Sequence, residues 1–159
     1  MFKIGYGADF HRFGKNRKLI LGGIEIPYSL GLVGHSDADV VVHAICDAIL
    51  GALGLGDIGE HFPDSDDKYK DISSLKLLDE VKRKMNEQNF KIGNLDITIL
   101  MENPKIGKYK KQMCEILAST LDCNSELVNV KATTTEKMGF IGEGVGVESR
   151  AIVLLKKKD

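Results

Sequence analysis

The chain has 159 residues, 43% of them hydrophobic, which is enough for one core and predicts a single domain over residues 1–159. Its 22 basic and 23 acidic residues leave a formal net charge of −1, so we expect neither a nucleic-acid nor a membrane partner. The three cysteines are odd in number and contain no C-x-x-C pair, which favours a reduced, cytoplasmic protein. The most apolar stretch, residues 40–55, is interrupted by His43 and Asp47, so no membrane span is expected.

The first third of the chain predicts a strand, a hairpin and a helix. Residues 2–10 are typical of a strand, and LILGGIEIP, residues 19–27, of a hairpin that turns at its Gly-Gly pair. Ser36 and Asp39 resemble a capping box that opens a helix ending near Leu53, because apolar side chains recur on one face of this segment.

The rest of the chain alternates between helix and strand signals. A Gly-, Pro- and Asp-rich loop is followed by further elements, which are expected as loop 54–67, helix 75–85, strand 94–101, helix 106–117, strand 127–133 and strand 148–155. Within the loop, His61 is expected to be an exposed histidine without a role. Helices interleaved with strands indicate an α+β fold: a mixed β-sheet with three main helices packed on one face, a two-layer α/β sandwich, plus a small hairpin.

An acid and a histidine stand two positions apart in GADFHRFG. Residues two apart on a strand point to the same side, so Asp9 and His11 project into one volume, with Cα atoms about 7 Å apart. Both side chains are competent metal ligands. An isolated D-x-H is also typical of a surface acid beside a hydrogen-bonded histidine, so the pair by itself does not decide between these interpretations.

His43, inside the first predicted helix, is a third candidate ligand. Asp39 and Asp47 flank it at helical spacing, and either carboxylate could accept its second ring N–H and fix the tautomer that a metal requires. Three protein ligands and an open fourth position are the pattern of catalytic zinc. A buried histidine bonded to a carbonyl remains the alternative, since the sequence does not show that strand and helix converge.

A second group of polar residues lies in KATTTEKMG, residues 131–139. Three threonines supply hydroxyl and backbone N–H groups after a predicted strand, and Glu136 adds a hard oxygen ligand suited to magnesium. Such a turn fits a polyphosphate, although threonines at a strand end are also ordinary structural residues. The residues alone leave three functions open: a metal-dependent phosphotransfer enzyme, a zinc-dependent phosphohydrolase, and a non-catalytic nucleotide-binding protein.

Taken together, the motifs resemble the 2-C-methyl-D-erythritol 2,4-cyclodiphosphate synthases over essentially the whole chain. The resemblance is carried by DFH at 9–11, HSDADVVVHAICDAILGALGLGDIGEHFPDSD at 35–66, Pro104-Lys105 and VNVKATTTEKMGF at 128–140. It implies conversion of 4-diphosphocytidyl-2-C-methyl-D-erythritol 2-phosphate to the cyclic diphosphate, with loss of CMP, in the non-mevalonate route to isoprenoids. It also implies a homotrimer with active sites between adjacent subunits.

The resemblance further implies roles for individual residues. Asp9, His11 and His43 are the expected zinc ligands, Glu136 is expected to bind magnesium or manganese, and His35 and Thr134 are expected to stabilise the transition state. Substrate contacts are implied for Asp9, Phe10, His11, His35, Ser36, Asp57, Ile58, Gly59, Phe62, Pro63, Asp64, Ser65, Asp66, Met101, Glu102, Asn103, Pro104, Lys105, Ile106, Gly107, Thr133, Thr134, Thr135, Glu136 and Phe140.

The implied reaction explains why the chain needs no serine or cysteine nucleophile. The attacking atom is the substrate's own phosphate oxygen, which is already ionised, and divalent cations neutralise the crowded negative charge. The chain also departs from the family pattern at Glu143 and Val145, where an arginine and an acid are frequent. Three copies of Glu143 on a trimer axis would repel an isoprenoid diphosphate.

Overall fold

The computed structural model of the chain describes residues 1–158. Seven strands and five α-helices follow one another as β1 (Phe2–Gly14), β2 (Leu19–Leu21), β3 (Ile24–Ile26), β4 (Gly31–Leu32), α1 (Val40–Leu53), α2 (Ile58–His61), α3 (Ser74–Glu87), β5 (Phe90–Leu100), α4 (Lys110–Thr120), β6 (Val128–Thr133), α5 (Gly139–Gly142) and β7 (Gly146–Lys157). Short 3₁₀ turns lie at Asp67–Tyr69, Gly107–Tyr109 and Ser125–Leu127.

Five strands form one mixed sheet in the order β4-β1-β7-β5-β6, and β2 pairs with β3 in a separate hairpin. Only β5 and β6 run parallel among these pairs; the other neighbours are antiparallel. α1 packs on β1 and β7, α3 on β5, and α4 on β6, so the three long helices cover one face. The predicted two-layer α+β sandwich with a small hairpin is confirmed.

Burial alternates along the strands because one sheet face meets the helices. In β7, Val147, Ala151, Val153 and Leu155 are fully buried against the helical layer, whereas Ile152 is exposed. α1 is buried nearly all round, since it lies between the sheet and α3. No helix within residues 1–158 is long and apolar enough to cross a membrane.

The hairpin and the start of α1 are built on one carboxylate. Gly22 and Gly23 adopt left-handed backbone conformations, with φ of 58° and 79°, as the predicted Gly-Gly turn requires. Asp39 accepts hydrogen bonds from both glycine N–H groups and caps α1 by accepting from Val41 and Val42. The predicted capping box is therefore wrong in its N-cap: Asp39 takes that position, and Ser36 lies outside the helix.

Candidate metal centre and adjoining cavities

Asp9 and His11 project from the helix-covered face of β1, toward α1. Two residues on that face, Gly5 and Gly7, have no side chain, and the backbone of α1 occupies the space that a Cβ would need. The helix therefore lies directly against the strand. This close approach brings His43, on α1, within reach of the two β1 side chains.

The three side chains converge on a common point. Asp9 Oδ2 lies 2.9 Å from His11 Nε2 and 3.1 Å from His43 Nδ1, and the two imidazole nitrogens are 3.2 Å apart. All three side chains are partly buried, with exposed fractions of 26%, 16% and 13% in chain order. The predicted set of Asp9, His11 and His43 is thus brought together in a geometry that could hold a metal ion.

The donor set favours a cation at this point. His11 Nδ1 lies 2.8 Å from the carbonyl oxygen of Val33, which can only accept, so Nδ1 carries the proton and donates it. In the neutral ring, Nε2 then presents a lone pair to the Asp9 carboxylate, which is also an acceptor. Two acceptors 2.9 Å apart repel one another unless a proton or a metal ion lies between them.

The pKa shifts of Asp9 and His11 also show that this point attracts a proton or a metal ion. Burial raises the pKa of Asp9, but the two imidazoles beside its carboxylate, those of His11 and His43, outweigh burial and lower that pKa to about 2. Burial opposes protonation of His11, but the hydrogen bond to Asp9 and its negative charge outweigh burial and raise the pKa of His11. A carboxylate that attracts positive charge this strongly also fits a bound divalent cation.

The expected partners of His43 are wrong. Asp39 is occupied by backbone N–H groups at the hairpin and helix start, and Asp47 Oδ1 accepts from the Ile58 N–H at 2.7 Å. Unpaired N–H groups at helix starts compete for these carboxylates more effectively than a neighbouring imidazole does. His43 Nε2 instead lies 2.9 Å from Ser74 Oγ on α3 and 3.1 Å from Ser36 Oγ.

A cavity of about 330 Å³ opens beside these three side chains. Most of its wall comes from residues predicted to contact substrate, and its lining includes His35, Ser36, Ile58, Gly59, Phe62, Pro63 and Asp64. His35 Nε2 lies 3.1 Å from the carbonyl oxygen of Asp66, which holds the ring against the wall. Ligand cavities of roughly 300–1,000 Å³ are typical of small-molecule sites.

Several other predicted contacts lie elsewhere. The Asp57 and Asp66 side chains cap α2 and the 3₁₀ turn at Asp67–Tyr69, and Ser65 is not among the residues that line the cavity. Phe10 lies on the opposite, open face of the sheet, 53% exposed and beside the Phe140 ring. The structure therefore does not bring these five predicted contacts to the cavity beside His43.

His61 differs from its expected state as an exposed loop histidine. It ends α2 and is partly buried, and its Nε2 lies 2.8 Å from the Leu55 carbonyl oxygen, to which it donates. Sequence periodicity could not reveal this helix, because α2 has only four residues.

A second cavity of about 310 Å³ lies at the end of β5 and β6. It is lined by Met101, Pro104, Lys105, Ile106, Gly107, Lys110, Ala132, Thr133 and Thr134, most of which were predicted to contact substrate. The two cavities share no lining residue. Three inter-strand steps separate Asp9 from Ala132, which corresponds to about 14 Å.

Glu102 organises the turn after β6 although it does not line the cavity. Its Oε1 accepts the backbone N–H groups of Thr135 at 3.0 Å and Lys137 at 3.3 Å. Glu136 and Lys137 adopt left-handed backbone conformations, with φ of 54° and 63°, and the Thr134 hydroxyl lies 3.2 Å from Glu136 Oε1. The turn is held in a strained shape that fits a binding role. Asn103 precedes Pro104 in a cis peptide bond.

Sequence reasoning missed three residues that support the site: Arg17, Asp37 and Ser74. The guanidinium of Arg17 donates to the carbonyl oxygens of Leu32, Gly34 and Ser36, and so holds the segment that carries His35. Serines 73 and 74 before the amphipathic stretch of α3 gave only the general signal of a helix start. No local pattern identified Arg17.

The YgbB family model matches residues 2–156. A Clostridium novyi protein named 2-C-methyl-D-erythritol 2,4-cyclodiphosphate synthase is 56% identical over 156 residues, covering 98% of this chain and 99% of that protein. A Desulfotalea psychrophila protein named bifunctional enzyme IspD/IspF is 57% identical over 155 residues, and the chain spans only 40% of its length.

The structure named "IspF (Plasmodium falciparum) CDP complex" superposes with a TM-score of 0.87 at 34% sequence identity, covering 99% of this chain and 97% of that one. That relative is described as a complex with CDP.

Proposed function

The chain belongs to the YgbB family, and on that premise we propose that it is a metal-dependent phosphorus-oxygen lyase of the non-mevalonate isoprenoid route. It cyclises 4-diphosphocytidyl-2-C-methyl-D-erythritol 2-phosphate to 2-C-methyl-D-erythritol 2,4-cyclodiphosphate and releases CMP. Residues 1–159 form one such domain. The observation that carries this proposal is the convergence of Asp9, His11 and His43 beside a cavity of about 330 Å³.

Asp9, His11 and His43 would hold zinc, and Glu136 would hold magnesium or manganese. Two imidazoles and a carboxylate suit zinc, and a carboxylate on a threonine-rich turn suits a hard cation. Bound divalent cations supply Lewis-acid polarisation of the phosphoryl groups and neutralise their charge. The chain needs no nucleophile of its own, because the substrate's 2-phosphate oxygen attacks the diphosphate.

The chain's own residues bind and orient the substrate. His35 and Ser36 contact the substrate, and the segments 57–59 and 62–66 hold its methylerythritol part. Of these two segments, Ile58, Gly59, Phe62, Pro63 and Asp64 line the cavity. Residues 101–107 and 133–136 bind the cytidine diphosphate, where Thr134 stabilises charge at the diphosphate. Holding a flexible chain in an attack geometry removes an entropic barrier that reaches roughly 7–11 kcal/mol for well-aligned reactants.

The chain works as a cytoplasmic homotrimer with active sites between subunits. The separation of about 14 Å between the metal centre and the second cavity supports a site completed by a neighbouring copy. The open sheet face supports the interface, because it exposes an apolar stripe made of Phe2, Ile4, Tyr6, Phe10 and Ile152. Three free cysteines support a reducing compartment.

The reaction is tested by ³¹P NMR of the product. We expect a cyclic diphosphate and CMP from the wild-type protein, and no turnover after chelation until metal is restored. A linear phosphate product would instead indicate a zinc-dependent phosphohydrolase, and binding of cytidine nucleotide without turnover would indicate a non-catalytic nucleotide-binding protein. His43→Ala should lower bound zinc and turnover together, and normal zinc content with abolished turnover would contradict the ligand assignment.

The shared active site is tested by mixing two inactive variants. His43→Ala lacks a zinc ligand and Glu136→Gln lacks the magnesium ligand, so we expect neither homotrimer to be active. In randomly mixed trimers, each mixed ring contains one intact interface, which restores about a quarter of wild-type activity. No recovery in trimers shown by native mass spectrometry to be mixed would contradict a site built from two subunits.

A further inference from the structure

The second ring nitrogen of His43 faces a hydroxyl group from another helix. Ser74 is the first residue of α3 and is fully buried, and its Oγ lies 2.9 Å from His43 Nε2. Ser36 Oγ lies 3.1 Å from the same nitrogen, and it also accepts the N–H of Ala38. The imidazole is therefore held on the side away from Asp9 by groups from outside α1.

Asp37 determines which way the Ser74 proton points. Its carboxylate accepts the backbone N–H of Ser74 at 3.0 Å and that of Asp39 at 3.1 Å, and its Oδ1 also accepts a hydrogen bond from the Ser74 hydroxyl. An ionised carboxylate can only accept, so the single hydroxyl proton of Ser74 is donated to Asp37. The lone pairs of Ser74 Oγ are then free to accept from His43.

The direction of these hydrogen bonds fixes the tautomer of His43. Because Ser74 Oγ accepts, Nε2 of His43 carries the proton, and Nδ1 presents its lone pair toward Asp9 Oδ2 and His11 Nε2. The opposite tautomer would place a proton on Nδ1 and donate it to Asp9, which would block metal coordination through that nitrogen. A chain of acceptors running back to a carboxylate thus aims a ligand atom at the site.

We propose that Ser74, supported by Asp37, is a positioning residue that sets the tautomer and ring orientation of His43 for metal binding. This inference rests on the proposed metal centre and adds to it a pair of residues that touch neither metal nor substrate. Loss of the Ser74 hydroxyl leaves Ser36, whose hydroxyl can donate to His43 Nε2 as well as accept from it, so the protonated nitrogen is no longer fixed. We expect metal affinity to fall about 10- to 100-fold, as is usual when such supporting partners are removed.

The test compares Ser74→Ala with Ser74→Thr, which keeps the hydroxyl, and with Ser73→Ala. Ser73 is the adjacent N-cap residue and makes no side-chain capping hydrogen bond, so its variant controls for a change at the start of α3. Two readouts are needed: the apparent Co²⁺ affinity with its visible absorption, and two-bond ¹H–¹⁵N spectra of the histidine rings without metal at alkaline pH. Circular dichroism and thermal unfolding confirm that each variant is folded.

In the wild-type protein we expect His43 to be protonated on Nε2. Ser74→Ala should mix or reverse this tautomer and weaken Co²⁺ binding, whereas Ser74→Thr and Ser73→Ala should match the wild type in both readouts. The proposal is overturned by an Nδ1-protonated His43 in the wild type, or by Ser74→Ala retaining both tautomer and affinity. Failure of the proposed function gives a different result: wild-type protein that neither binds Co²⁺ nor forms the cyclic product.

Discussion

We expect the substitution Gly7→Ala, which adds a single methyl group, to disrupt the metal centre. Gly7 lies two residues before Asp9 on the helix-covered face of β1, and a Cβ added there would stand 2.1 Å from the Ala44 carbonyl oxygen. It would also stand 2.7 Å from the Ala48 backbone nitrogen. Both obstructing atoms belong to the backbone of α1, so a side-chain rotation cannot relieve the clash.

The size of the displacement follows from these distances. Ordinary contact needs at least 3.4 Å, so α1 and β1 must separate locally by about 1.3 Å. Ala44 adjoins His43, and the displacement therefore separates the His43 imidazole from Asp9. Metal sites tolerate deviations of only about 0.2 Å in ligand distance. We expect Gly7→Ala to weaken Co²⁺ binding and turnover by about 100-fold or more and to lower the free energy of unfolding by about 1–3 kcal/mol.

Gly51→Ala is the matched control. Gly51 lies on the same helix, is exposed, and has no atom within 4 Å of its added Cβ. Alanine in a helix interior is favoured over glycine by about 0.5–1 kcal/mol, so this variant should be slightly stabilised and fully active. Co²⁺ titration, turnover and urea unfolding measure all three effects. A folded Gly7→Ala protein with wild-type Co²⁺ affinity would refute the close-packing argument.

Three further predictions concern the site and its surroundings. The raised pKa of His11 means that metal competes with a proton: apparent Co²⁺ affinity should be full above that pKa and should fall about tenfold per pH unit below it. Glu102→Ala removes the acceptor for the backbone N–H groups of Thr135 and Lys137. It should weaken CDP binding, measured by calorimetry, about tenfold and leave Co²⁺ affinity unchanged. Ile152→Lys places a charge on the exposed apolar stripe; sedimentation velocity should show dissociation to folded, inactive monomers.

Each of these predictions has a contradicting outcome. A pH-independent Co²⁺ affinity would show that no proton is displaced from His11. Equal losses of CDP and Co²⁺ binding in Glu102→Ala would show that the two cavities are not independent. An intact, active oligomer carrying Ile152→Lys would place the interface elsewhere, because burying an unpaired lysine charge in an apolar interface would strongly destabilise the assembly.

The elements with clear periodicity could be predicted from the sequence. The apolar spacing in residues 75–85 marks α3, the alternation at 94–101 marks the second half of β5, and the Gly-Gly turn marks the β2–β3 hairpin. The ends of elements were less accurate: β1 continues to Gly14, four residues beyond the prediction, because its later residues pair with β7 and β4. Such pairing is a tertiary effect that no local pattern encodes.

The candidate site, too, could be predicted from the sequence only in part. Asp9 and His11 stand two apart on one strand, so their common direction follows from strand geometry. The hydrogen-bond partner of His43 could not be predicted, because Ser74 is 31 residues away and approaches through the packing of α3 on α1. The sequence predicted Asp39 or Asp47 as this partner. Both carboxylates instead accept backbone N–H groups that would otherwise be unpaired.

The segment from Val33 to Asp37 explains why the site holds together although its three candidate ligands come from only two elements. It supplies the carbonyl oxygen that orients His11, the Ser36 hydroxyl beside His43, and the carboxylate behind Ser74. Arg17 holds this segment by donating to two of the segment's carbonyl oxygens, those of Gly34 and of Ser36, the latter at 2.6 Å. Each imidazole therefore presents a lone pair to Asp9 because its other nitrogen is engaged by an acceptor from outside its own element.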